Sequence, residues 1–152
     1  MVFVLAAKAA AKGAAAGLPS AELVILPAVL LGLVIAFVEL VFVHQDERGM
    51  GWLAHGLHAV PVTMIFTFIT MNVPYVMSKI PAAGSYQSWM EPVVIIVIGF
   101  IAMGKVLTAA AIAGRVGEKK FHVFIIGALI IAAPYAWKYV LKATIGPMLP
   151  FS

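Results

Sequence analysis

The stretch Pro92–Gly114 reads PVVIIVIGFIAMGKVLTAAAIAG, 23 residues that carry a single charge, Lys105. About 20 apolar residues are enough for a helix to cross a bilayer. A lysine near the middle of such a helix costs roughly 2.5–3.5 kcal/mol on insertion scales unless something answers it. The stretch therefore sets two expectations: a membrane-spanning helix, and a counterpart for Lys105 elsewhere in the chain.

Three more runs of this kind follow from the same reading, at about Ala21 to Val43, Trp52 to Met77 and Phe121 to Leu141. Of the 152 residues, 64% are hydrophobic and 11% charged. A soluble domain carries about 45–50% apolar and about 25% charged residues. The runs are continuous rather than alternating, so helices are expected and a membrane barrel is not. The expected fold is all-α: a polytopic, multi-pass membrane protein with four transmembrane helices in an up-down bundle. Residues 21–152 form this domain, and residues 1–20 a tail or a short interfacial helix with Lys8 and Lys12 toward the headgroups. Ser20 is a candidate N-cap for the first span. Pro27 and Pro134 are expected to bend their spans. Pro61 and Pro74 interrupt the second, with a kink at Asn72 and Pro74. Thr63, Thr67 and Thr70 share one side of that helix, where they line a crevice or bond back to their own backbone.

The links are short and polar. An up-down path puts both termini and the link Ser78 to Glu91 on one face, side A. The turns around Asp46 and Glu118 lie on the opposite face, side B. Side A holds Lys8, Lys12, Lys79, Lys138 and Lys142, and side B holds Arg48, Arg115, Lys119 and Lys120. Five against four leans toward side A as the cytoplasmic face under the positive-inside rule. The net charge of +4 forms no basic stripe with interleaved aromatics, which argues against nucleic acid as a partner. The chain has no cysteine, which excludes disulfides, thiolate metal sites and cysteine nucleophiles.

Helices in lipid associate through small residues that let backbones approach. Ala28, Gly32 and Ala36 recur at helical spacing in the first span. Ala102, Lys105, Ala109 and Ala113 do so in the third, and Ala128, Ala132 and Ala136 in the fourth. Glu39 falls on the first of these faces and Lys105 on the second. Glu39 lies four residues before Val43 and Lys105 nine before Gly114, a difference of roughly 7.5 Å of rise. A lysine stem can span much of that. A Glu39–Lys105 pair is expected if the two helices are neighbours or meet across a subunit interface.

The second polar concentration is His44-Gln45-Asp46-Glu47-Arg48, followed by His55 and His58 one turn apart. His122 opens the fourth span at the same face. Imidazole titrates near neutral pH, so Glu39, Lys105, His55 and His58 form a candidate proton or ion path, or a buried ion pair. His44, His55, His58, Asp46 and Glu47 are also candidate ligands for a divalent metal. The spacing is not the HExxH pattern of zinc proteases.

Nothing in the sequence reads as a nucleophile motif, a phosphate loop or a dinucleotide fingerprint, which favours a non-catalytic role. The expected function is that of a small integral membrane protein that binds lipid and works as a homo-oligomer or as a subunit of a membrane complex. A proton or ion path through the Glu-Lys-His groups would serve such a role. A metal-dependent membrane enzyme is the second expectation. The third follows from the last two spans and their basic turn, which resemble membrane pilins and so imply a structural subunit of a lipid-containing filament.

Overall fold

The computed structural model describes residues 22–46, 51–84, 86–112 and 120–150. Residues 1–20, Glu47, Ala113, the turn 115–119 and the side chains of His55 and Ala109 lie outside the described residues. The described chain is all-α, with no strand among the described residues. Helix α1 is Leu26–Asp46, α2 Gly51–Met71, α3 Val73–Lys79, α4 Glu91–Ile112, α5 Lys120–Ala136 and α6 Lys142–Thr144. A π-helical turn, Trp137–Leu141, joins α5 to α6. Among the described residues, four helices are long and apolar enough to cross a membrane: Leu26–Asp46, Trp52–Met71, Ser88–Thr108 and Lys120–Thr144. At 1.5 Å per residue, 21 residues reach about 31 Å, the depth of a hydrocarbon core.

The first helix begins at Leu26, later than expected, and runs on to Asp46. Residues 22–25 are not helical. Pro27 therefore does not bend α1. It occupies the first turn, where its missing N–H would have no partner anyway. The second span is split. Helix α2 passes through Pro61 uninterrupted and stops at Met71, and α3 restarts at Val73 with Pro74 in its first turn. Between them the Asn72 N–H bonds to the Ile69 carbonyl at 3.1 Å, a tightened turn in place of the α-helical bond. The link to α4 contains two single 3-10 turns, Pro81–Ala83 and Ser88–Met90. Tyr86 lies between them with its hydroxyl buried, and burial, then the Glu91 carboxylate, pushes the phenol above the ordinary 10.0. It stays neutral at physiological pH and can sit inside the link.

Helix α1 packs antiparallel on α2, and α4 packs antiparallel on α5. Glycines set both contacts. A Cβ on Gly32 would meet the Met64 backbone at 3.4 Å, and one on Gly56 would strike Leu40. A Cβ on Gly99 would strike Ile131, and one on Gly127 would strike Met103. The residue numbers of each facing pair sum to 96 on α1–α2 and to 230 on α4–α5, as two antiparallel registers require. The core draws on every long helix: Ala28 and Ile35, Met71, Ala102 and Val106, Val123, Ile126, Ile130 and Ala133.

The small-residue faces divide. Ala28, Gly32 and Ala36 are buried, as expected. On α4 the buried face is Ile95, Gly99, Ala102 and Val106, and Lys105 is exposed beside it. On α5 the expected stripe points the wrong way. Ala128 and Ala132 are exposed, while Ile126, Gly127, Ile130 and Ala133 face the core. Both helices are apolar all round, so hydropathy gives neither a preferred inner face. Interdigitation decides instead, through the glycines that admit Ile131 and Met103.

Candidate functional site

Asp46 ends α1 and His122 opens α5, and they meet. His122 Nδ1 lies 2.7 Å from Asp46 Oδ2, a charge-assisted distance, with the side chains 11% and 7% exposed. An ionised carboxylate only accepts hydrogen bonds, so against it Nδ1 is the donor in that contact. Phe42, one turn before Asp46, stacks on the imidazole with ring centroids 4.2 Å apart and planes within 6°. Helical spacing thus gives α1 both contacts to the ring, one by stacking and one by hydrogen bond. Phe121 flanks it at 6.4 Å.

Glu39 is seven residues before Asp46 on the same face of α1, about 10 Å deeper along the axis. It is fully buried, at 0% exposure. A carboxyl group there lies inside the helix cluster of a chain whose helices are apolar enough for a membrane, where ionisable side chains mark functional sites by default.

Among the described residues, the other buried polar side chains are Thr63, Thr67 and Thr70 on one face of α2 and Asn72 just past its end. From the α1–α2 register, Thr63 is six residues beyond the level of Glu39, about 9 Å. Thr67 Oγ1 donates to the Thr63 carbonyl at 2.8 Å. Thr70 Oγ1 shares its proton between the Thr67 carbonyl at 3.0 Å and the Ile130 carbonyl at 3.2 Å. Ile130 lies four residues before Pro134, which has no N–H to give it, so Thr70 takes the place of that missing donor. The Thr63 hydroxyl is buried with no hydrogen-bond partner among the described residues.

Asn72 closes the row. Its Oδ1 accepts from the Val24 N–H at 2.7 Å, and its Nδ2 donates to the Val24 carbonyl at 3.1 Å and to the Phe68 carbonyl at 2.9 Å. One amide side chain thus satisfies both backbone groups of Val24, in the non-helical segment before α1. It also satisfies the Phe68 carbonyl, which the tightened turn at Asn72 leaves open. Buried polar side chains thus occur at both ends of the helix cluster and between them: Asp46 against His122, Glu39, the three threonines, and Asn72 against Val24.

Of the other expected residues, those whose side chains are described fall elsewhere. Helices α1 and α4 make no substantial contact; α2 and α5 pack on both. Glu39 is buried and Lys105 exposed, so the chain holds these two in different surroundings. His58 is exposed, with Nδ1 3.0 Å from the Ala54 carbonyl of its own helix. His44 is exposed and meets Trp52 edge-on at 4.9 Å. His55 lies on α2, and its side chain and Glu47 are outside the described residues. Among the described residues, no three His, Asp or Glu side chains come together as a metal site. The Asp46–His122 pair was legible only in part. Both residues sit at the same end of antiparallel spans, but no local spacing links positions 76 residues apart. Comparison with protein-family models, with curated proteins and with solved structures gives no match.

Proposed function

We propose that the chain is a non-catalytic, multi-pass membrane protein, an up-down bundle of four transmembrane helices, in which Glu39 binds and releases a proton. The observation that carries this reading is a fully buried carboxyl group on the same helix face as a carboxylate–imidazole pair at the helix end. His122 and Asp46 form the mouth. Held at Nδ1 by Asp46, the His122 imidazole relays protons through its two ring nitrogens. Glu39 is the inner group. The threonine row toward Asn72 supplies hydroxyls that can donate and accept in turn.

The protein works as an oligomer or as a subunit of a membrane complex. Exposed Lys105 supports that part of the reading. A cation on the outward face of an apolar helix is stabilised by a neighbour's carboxylate or by reaching a headgroup.

The test is proton flux into proteoliposomes that carry an internal pH dye, driven by an imposed potential. Glu39→Gln keeps shape and removes the titrating group, so flux falls at least about tenfold, the scale expected for loss of a required proton carrier. Asp46→Asn slows flux by releasing His122, and Lys105→Met leaves it intact. Wild-type chain without flux, or a Glu39→Gln variant that conducts as well as wild type, rejects the reading.

A further inference from the structure

A cavity lies at the Asn72 end, and Glu39 and the threonines are not among its lining residues. Its volume is about 700 Å³, within the range of small-molecule sites. One wall is the non-helical segment Glu22–Ile25 with Leu26 and Pro27, and the other is Trp137, Lys142 and the Gly146–Pro150 region. Gly146 is buried, and the position of a Cβ there would lie 3.7 Å from the Lys142 stem and 3.9 Å from the Trp137 ring. The second wall is thus closely packed, with its one cation and its one indole side by side. The first wall is held in place from behind, because Asn72 binds Val24 through both its backbone groups.

The chemistry of the lining is selective. Apart from Glu22 and Lys142, every lining residue is apolar or glycine. Both charged residues are exposed, so they stand at the rim, one on each wall. An anionic ligand would meet the Glu22 carboxylate as well as Lys142, and a cationic ligand the reverse. A headgroup with phosphate and ammonium satisfies both, and its acyl chain fits the apolar interior. An indole face adjoining the rim also attracts an ammonium group. The surrounding residues suit a headgroup layer. Tyr135, Trp137 and Tyr139 follow one another in sequence at the end of α5 and in the π-helical turn, and Lys138 Nζ lies 5.4 Å from the centroid of the Tyr139 ring.

We infer that this cavity binds a zwitterionic glycerophospholipid, with its phosphate at Lys142, its ammonium at Glu22 and Trp137, and an acyl chain between Leu23–Pro27 and the C-terminal segment. The ligand bridges the start of α1 and the segment around α6.

Trp137 reports on the site. The chain has three tryptophans, so Trp52→Phe with Trp89→Phe leaves Trp137 alone. This protein is placed in vesicles of unlabelled lipid containing a small fraction of phosphatidylcholine, phosphatidylethanolamine or phosphatidylglycerol brominated on the acyl chain. The brominated zwitterionic lipids quench Trp137 at a mole fraction about threefold lower than phosphatidylglycerol, the size of one interfacial charge interaction. Lys142→Met weakens quenching by all three lipids, and Glu22→Gln removes the discrimination against phosphatidylglycerol. Both positions are exposed, and unchanged circular dichroism verifies that the variants fold. Equal quenching by all three headgroups overturns the inference, as does a preference for phosphatidylglycerol. Quenching that neither substitution alters also overturns it. So does the absence of quenching by any lipid, as residues 1–21 filling the cavity would produce.

Discussion

Asn72 shows how much a single side chain can decide in an apolar chain. A helix that starts at Leu26 leaves the preceding backbone with polar groups that need partners, and in apolar surroundings each unsatisfied group costs about 1–3 kcal/mol. The Asn72 carboxamide has an acceptor and two donors, and Val24 and Phe68 use all three in the geometry seen. Asn72→Leu keeps the volume and removes every one of these bonds. It is expected to destabilise the protein by about 2–4 kcal/mol, from two or more orphaned groups, read as a shifted midpoint on titration of mixed micelles with denaturing detergent. Asn72→Asp keeps the acceptor for the Val24 N–H but offers no donor to the two carbonyls, so it falls between. A change below about 1 kcal/mol for Asn72→Leu would mean that water already serves Val24. The sequence marks Asn72 and Pro74 as a break, since a proline without an N–H follows an amide in an apolar run. The partner is 48 residues away, and nothing local to either segment reveals it. The Asp46–His122 pair is hidden in the same way, because its members are ordinary helix-end residues until the helices are packed.

At the scale of the element, each proline has a different outcome, set by what stands opposite the freed carbonyl. Pro27 frees none because it is in a first turn, and Pro74 opens α3 beyond the break at Asn72. Pro134 stays inside α5, and the Thr70 hydroxyl of α2 occupies the site of the lost donor at 3.2 Å. This makes Thr70 and Pro134 energetically coupled across a helix interface. Thr70→Val alone orphans the Ile130 carbonyl and is expected to cost about 1 kcal/mol, within the range for interhelical hydrogen bonds in membranes. In a Pro134→Ala background the residue 134 N–H can serve Ile130, and the same Thr70→Val change costs less. A double-mutant cycle should therefore give a coupling of about 0.5–1 kcal/mol, whereas additive effects would show that the Thr70–Ile130 bond has no energetic role. The existence of the four long helices is legible in the sequence because apolar length alone dictates it. Their inward faces are legible for α1, where small residues coincide with buried Glu39, and for α2, where Thr63, Thr67 and Thr70 share the buried side. On α4 and α5 every face is apolar. The choice then falls to shape, with Gly99 and Gly127 receiving Ile131 and Met103 while Ala128 and Ala132 face outward.

For the whole molecule, the proposed path from His122 and Asp46 to Glu39 has meaning only if the two ends of the helices face different compartments. The helix lengths match a hydrocarbon core, and large apolar side chains such as Leu57, Phe100, Phe121 and Phe124 are exposed around the outside. Water would not tolerate so much apolar surface on a free monomer, whereas acyl chains would. The antiparallel pairing of α1 with α2 and of α4 with α5 sets which ends belong together. Gln45 and Lys120 lie at the Asp46 end, and Ser78 and Met148 at the Asn72 end. Because the chain contains no cysteine, each of these can be replaced singly by cysteine with no background thiol. All four are exposed, so reactivity reports the compartment rather than burial. In sealed vesicles of one orientation, a membrane-impermeant maleimide added outside should label one pair, Gln45→Cys with Lys120→Cys or Ser78→Cys with Met148→Cys. The other pair should react only after permeabilisation. The charge count of five against four favours the Asn72 end inside by a single lysine. Two added lysines beside Gln45 should therefore reverse which pair reacts first, and keep the pairs intact. Labelling that splits either pair would break the up-down path, and labelling of all four from outside would remove the separation of compartments on which proton transfer through Glu39 depends.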